Sequence, residues 1–162
     1  MSRPPLIIRI DDRLIHGQVL VGWFSKFPIK KFIICDDEIA NNGWERNLIL
    51  SAASSDFSIE ILSIKETCQY IKENLDSSTS TMILVNSPKQ IRKMDEIGLP
   101  VKSINVGGIH YKEGRIQYLR FLFLNKEEVE IFRQLMNDGF IFECQDLPTN
   151  KKLDLKKVLE SH

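Results

Sequence analysis

The sequence has no apolar run approaching the ~20 residues a bilayer span needs. It also has no internal repeat and no low-complexity tract. The segment Met1-Ser2-Arg3-Pro4-Pro5 lacks the apolar region and small-residue cleavage site of a secretory signal, so the chain is expected to stay in the cytoplasm. There is no excess of charge: 22 Lys and Arg balance 22 Asp and Glu. Overall charge therefore gives no reason to expect a nucleic-acid or membrane-surface binder. Cysteine is scarce. Cys35, Cys68 and Cys144 are odd in number, widely spaced and set among apolar residues. They are expected to be buried, reduced thiols. Closely paired ligands are lacking, so no metal site and no bound cofactor are expected. The first strand-to-helix turn has no Gly-x-Gly-x-x-Gly, which a nucleotide-binding Rossmann domain requires.

What remains is an ordinary globular composition, 43% hydrophobic and 27% charged over 162 residues, long enough for one domain (1–162) with a sizeable core. Short apolar runs alternate with helical patterns. The runs are Leu6 to Ile10, Phe32 to Cys35, Ile59 to Leu62, Met82 to Val85 and Ile104 to Val106. Runs this short and continuous predict strands of a parallel sheet covered on both faces. The fold class is α/β: an open, mainly parallel sheet with helices on both sides and a small C-terminal antiparallel or edge element.

Helical stripes are predicted from Leu20, Trp23, Phe24 and Phe27, from Leu48, Ile49, Ala52 and Ala53, and from Ile64, Cys68, Ile71 and Leu75. Ser87-Pro88-Lys89-Gln90 reads as a helix start, with Ser as cap and Gln closing a capping box, and Gly98 and Pro100 end that helix. Asn125 caps another helix, with Glu128 in the capping-box position, and Asp138-Gly139 stops it. Glu113-Gly114-Arg115 is read as a turn before the apolar Tyr118 to Leu124, giving a small hairpin or edge strand. Phe140 to Cys144 is read as the last strand. Leu153, Leu155, Val158 and Leu159 form either a short amphipathic helix on the body or a mobile end.

Chemistry concentrates in Ile10-Asp11-Asp12-Arg13-Leu14-Ile15-His16-Gly17-Gln18, between the first strand and the first helix. Open parallel sheets bind ligands beyond the carboxyl ends of their strands, and helix N-termini attract anions. A neutral imidazole such as His16 is a competent nucleophile toward phosphorus. Gly17 has no side chain to obstruct a bulky anion or partner. Arg13 offers a planar fork of donors to phosphoryl oxygens. Asp11 or Asp12 can orient the imidazole or tether Arg13. Arg9 adds positive charge, its direction from the strand unknown. Asp36 and Asp37, at the end of the second strand, either hold Arg13 or the loop, or cap a helix. Asn105, Gly107 and Gly108 either line the pocket and lend N–H groups to phosphate, or form a tight turn. His110 is read as a surface histidine, and Trp23 and Trp44 as core and helix-face residues.

Arg9 to Val19 closely resembles the phosphorylation-site segment of IIB proteins in the mannose/fructose/sorbose family of the sugar phosphotransferase system. Ile33 to Asn42 resembles that family's second strand and following loop, Lys102 to Gly114 its glycine-containing segment, and Glu143 to Pro148 its late strand end. The likeness runs over about residues 6 to 155. It departs at Trp44 to Asn47, at Ser51 to Ser55, at Asp146-Leu147 and beyond Asn150. The resemblance implies a phosphocarrier and sugar phosphotransferase. His16 is phosphorylated by a IIA partner and passes the group to a sugar delivered by membrane subunits IIC and IID, with Arg13 assisting. It implies no metal or nucleotide. A non-catalytic module that uses phosphorylation of His16 as a signal is the alternative. The residues leave the sugar and the oligomeric state open, a homo-oligomer included.

Overall fold

The structure, a computed structural model, describes residues 6–13, 22–23 and 29–162. Strands β1 (Leu6–Ile10), β2 (Lys31–Cys35), β3 (Ser58–Leu62), β4 (Thr81–Val85), β5 (Ser103–Val106), β8 (Ile141–Cys144) and β9 (Leu153–Asp154) form one sheet in the order β3-β2-β4-β1-β5-β8-β9. All pairings are parallel except β8 with β9. Strands β6 (Ile116–Leu119) and β7 (Leu122–Leu124) make a separate antiparallel hairpin. Besides helical Gly22 and Trp23, the helices among the described residues are α1 (Asp37–Ala40), α2 (Gly43–Leu50), α3 (Ile64–Glu73), α4 (Pro88–Glu96), α5 (Lys126–Asn137) and α6 (Leu155–Glu160). None among the described residues is long and apolar enough to cross a membrane.

The period of two along each strand sends alternate side chains to two cores. Ile8, Ile10, Ile33, Cys35, Ile83 and Val85 pack on one face with α3, α4, α5 and α6. Phe32, Ile34, Met82 and Leu84 pack on the other with Trp23, Ile39 and Ile49. Both faces of the central strands are dry, which is why they read as unbroken apolar runs. The three cysteines are buried and free. Burial pushes the Cys35 and Cys144 thiols up to about 12, so neither is a ready nucleophile.

Several local expectations need correction. Helix α2 stops at Leu50, so Ala52 and Ala53 lie beyond it and are exposed, and of that stripe Ile49 alone is buried. Serine side chains bind nearby backbone here: Ser51 Oγ donates to Leu48 O and Ser54 Oγ accepts from Asp56 N. Leu75 falls past α3 and is exposed. Ser87 makes no capping hydrogen bond. Gln90 closes no capping box there, because its amide bridges two strand ends, accepting from Asn86 N and donating to Cys35 O. The expected turn at Glu113-Gly114 does form, with Gly114 at φ +90°, and the small hairpin after it turns at Arg120-Phe121. Phe140 to Cys144 is not the last strand, since β9 pairs back along its edge. Of the two readings of the tail, the short helix packed on the body is the one that forms, with Leu155 and Leu159 buried. The Leu20–Phe27 stripe lies outside the described residues apart from Trp23, which is buried.

The Asn125–Glu128 capping box is formed, and Gly98 and Gly139 take the left-handed conformation that ends their helices. The chain leaves β1 toward β2 on one side of the sheet and leaves β5 toward β8 on the other. The crevice between diverging connections therefore opens beyond the carboxyl ends of β1 and β5.

Candidate functional site

Arg9 sits in the middle of this arrangement. The pleat turns it to the Trp23 face of β1, and it is fully buried. A guanidinium in that position must be paired and fully hydrogen-bonded. Its Nη1 donates to Gln145 O at 2.7 Å and to Asn105 Oδ1. Its Nη2 donates to Asp146 O at 2.8 Å and to Asp11 Oδ2 at 3.1 Å. The Trp23 ring covers its face, 4.7 Å from Cζ.

Asp11 links this buried cation to the surface. Its own N–H donates to Val85 O, which fixes the backbone as the strand ends. Its carboxylate, fully buried, accepts from Arg9 on one side and from Arg13 on the other. Arg13 binds it as a fork, Nε at 2.9 Å to Oδ1 and Nη2 at 2.9 Å to Oδ2, while Arg13 N donates to Oδ1 at 3.0 Å. Burial works to raise the Asp11 pKa. The Arg13 hydrogen bond and the charges of Arg9 and Arg13 outweigh it and hold the carboxyl below its ordinary range. The Arg13 guanidinium is raised, first by that bond to Asp11. Asp146 Oδ1 lies 3.3 Å from Arg13 Nη2, and the Arg13 side chain remains 25% exposed. Among the described residues its Nη1 has no partner. Arg13 is thus a donor aimed by Asp11 and still partly exposed.

Gly107 and Gly108 serve this network by occupying no space. A Cβ on Gly107 would press into the Arg9 guanidinium and lie 2.7 Å from Asp11 Oδ2. One on Gly108 would lie 2.7 Å from Arg13 Nε. The Gly107 N–H is not available to phosphate, because it donates to Ile10 O at 2.7 Å. Asn105 likewise serves Arg9, and its Nδ2 donates to Gln145 Oε1. Gly107→Ala is expected to destabilise the fold by about 1–3 kcal/mol, because its neighbours are buried and cannot yield. Urea unfolding measures this. Gly108→Ala should cost less, since Arg13 can swing outward.

Asp12 faces elsewhere. Its N–H donates to Gly108 O, and its carboxylate accepts from His110 N at 2.8 Å and meets His110 Nδ1 at 2.5 Å. Asp36 caps α1, accepting from Glu38 N, Ile39 N and Asn86 Nδ2. Asp37 accepts from Ile64 N. Asp36 takes the capping role, Asp37 ties α1 to the start of α3, and neither is bonded to Arg13. His16 and Gly17 lie outside the described residues. Sequence reasoning gave no part to Gln145 or Asp146. The available signal was a polar pair directly after an apolar strand, where parallel sheets place their ligand loops. Among the described residues no group of three or more His, Cys, Asp or Glu can hold a metal ion.

The model of the family described as "PTS system sorbose subfamily IIB component" matches residues 6–162. The chain belongs to this family. Its IIB components are phosphotransferases of sugar uptake that work with IIA and IIC/IID partners. Among related proteins, the fructose-specific EIIB component of Bacillus subtilis is 28% identical over 96% of each chain. The mannose-specific EIIAB component of Escherichia coli K12 is 25% identical over 94% of this chain, which spans 47% of that protein's length. A solved structure titled as a phosphoenolpyruvate-dependent phosphotransferase system superposes with a TM-score of 0.84 at 28% identity, covering 96% of this chain and 98% of that one. The IIB fold of this chain, a mainly parallel seven-stranded sheet with a two-stranded accessory hairpin, agrees with these relatives.

Proposed function

We propose that His16 receives a phosphoryl group from a phosphohistidine of a IIA protein and delivers it to a sugar presented by IIC and IID. The observation that carries this reading is Arg13, fixed bidentately by the buried Asp11 yet one-quarter exposed, three positions before His16. The phosphoryl group in flight bears charge on three oxygens, and positioning plus electrostatic stabilisation supplies most of the catalysis. Because Asp11, itself anchored by Arg9, holds Arg13 in place before any phosphate arrives, little reorganisation is needed at the moment of transfer. In the first half-reaction the P–N bond on the donor breaks as a P–N bond forms on His16. In the second, a sugar hydroxyl attacks, the His16 P–N bond breaks, and the hydroxyl proton passes to the departing imidazole, which returns to its neutral form. Residues 1–162 act as one IIB domain, in the cytoplasm against the membrane subunits.

The direct test is intact mass after incubation with phosphorylated IIA. An acid-labile gain of one phosphoryl group is expected, followed by its loss as sugar phosphate when sugar and membranes containing IIC and IID are added. Phosphorylation without sugar phosphate would leave the signalling role instead. Arg13→Ala should slow phosphoryl acceptance by ~10²–10³-fold, the cost of one lost oxyanion donor. A variant with wild-type rates would remove Arg13 from the mechanism.

A further inference from the structure

The accessory hairpin lies outside the main sheet, yet its turn is laced to the loop that carries Gly107 and Gly108. Ile109 N donates to Phe121 O at 3.0 Å, and Phe123 N donates to Ile109 O at 3.0 Å. Leu122 and Leu124 are buried beneath. Gly108, the residue before Ile109, accepts from Asp12 N and lies against the Arg13 side chain. Backbone bonds thus fix where the hairpin presents its turn residue Arg120, and they fix it relative to the loop that bears Arg13.

Arg120 Nη2 lies 3.5 Å from Asp146 Oδ2, while the other oxygen of that carboxylate lies 3.3 Å from Arg13 Nη2. One carboxylate therefore bridges two guanidinium groups. Its backbone is fixed, because the Asp146 carbonyl accepts from the buried Arg9 at 2.8 Å. The two bridged cations differ. Arg13 is forked onto Asp11 and only 25% exposed. Arg120 is 82% exposed, and among the described residues Asp146 is its only ionic partner. A pair this long and this solvated contributes little, so Arg120 can leave it at small cost. The ion pairs run in a chain, Arg9–Asp11–Arg13–Asp146–Arg120. Asp11 and Asp146 balance Arg9 and Arg13, so the terminal cation is what leaves the chain positive. A phosphoryl group in transfer carries charge on three oxygens and calls for that surplus.

We propose that Arg120 is a second phosphoryl-binding arginine, which leaves Asp146 to donate N–H groups to the oxygens of a phosphoryl group that Arg13 holds. The proposal rests on phosphoryl transfer to His16 with Arg13 assisting. Arg120 gives up no proton, and the bonds broken and formed remain the two P–N bonds of that step. The test follows phosphoryl acceptance by intact mass in wild-type, Arg120→Ala and Arg120→Lys chains, over a series of phosphorylated IIA concentrations. Arg120→Ala is expected to lower the rate at saturating donor about tenfold, the effect of one charge-assisted hydrogen bond lost in the transition state. Arg120→Lys keeps the charge without the fork and should recover part of that rate. Both should keep the wild-type urea midpoint, because the side chain is exposed. The loss should persist in an Asp146→Asn background, since the contact is with phosphate and does not run through Asp146. A loss that vanishes in that background overturns the proposal, by showing that Arg120 only neutralises the carboxylate. A higher half-saturating donor concentration with an unchanged saturating rate also overturns it, and makes Arg120 a docking residue for the IIA protein. Variants that match an active wild type overturn the role of Arg120 alone, whereas a wild-type chain that accepts nothing from active IIA overturns the transfer reading itself.

Discussion

A His16→Ala chain mixed with phosphorylated IIA is expected to gain no acid-labile mass, while the wild-type chain gains one phosphoryl group. The effect should be complete rather than graded. Arginines and backbone dipoles stabilise a transferring phosphoryl group but cannot form the covalent intermediate, so no neighbour replaces the nucleophile. His110 is the nearest rival by sequence, and its Nδ1 is engaged by Asp12. If His110 were the acceptor, the His16→Ala chain would still be labelled and the His110→Ala chain would not. Labelling both single variants but not the double variant would mean that two histidines share the role. Intact mass with peptide mapping under mild alkaline conditions distinguishes these outcomes.

Asp11→Asn is expected to lower stability by about 3–5 kcal/mol at neutral pH, read from the urea midpoint. The substitution nearly conserves volume, so the loss is electrostatic. It leaves the fully buried Arg9 without its ion-pair partner and removes the fork that aims Arg13. Asp146→Asn should cost about 1 kcal/mol or less, because its ion pairs with Arg13 and Arg120 are longer and partly solvated. The pH dependence follows from the same geometry. The Asp11 pKa is lower folded than unfolded. Its contribution is therefore fully present above the unfolded carboxylate value of about 3.9 and is lost as pH falls through the lower folded value. Acidification should narrow the gap between wild type and Asp11→Asn. A gap that is small at neutral pH, or that widens in acid, would mean that the carboxylate is not what secures the two arginines.

The strands were legible because burial on both faces leaves little room for polar residues. The run Leu6 to Ile10 matches β1 at both ends, and the other central strands begin one residue before their apolar runs. Arg9 was the obscure exception. A charge within such a run has a definite direction only once its partners are known, and these lie at Asn105, Gln145 and Asp146, far along the chain. Asp36 was ambiguous for a different reason. A carboxylate at a strand end suits a ligand loop and a helix cap equally, and only the path of α1 decides between them. Gly107 and Gly108 look like turn glycines in one dimension. Their purpose is to leave space for two guanidinium groups, which no local pattern encodes. The α2 stripe failed because four apolar residues at helical spacing do not secure a helix past Leu50 when serines compete for the backbone.

Arg9 also has a consequence for the order in which the molecule can be made. Its hydrogen bonds reach the main-chain carbonyls of Gln145 and Asp146 across 136 and 137 positions of sequence. Contacts of such separation carry a large closure cost and form late. A chain emerging from the ribosome can lay down β2, β3 and β4, but it cannot close the charged centre until β8 has been synthesised and seated beside β5. Arg13 then acquires its full set of anchors as one of the last acts of folding. On the proposed transfer through His16, the arginine arrangement therefore matures only once Gln145 and Asp146 have been made, and a product truncated before them is expected to accept phosphoryl groups poorly.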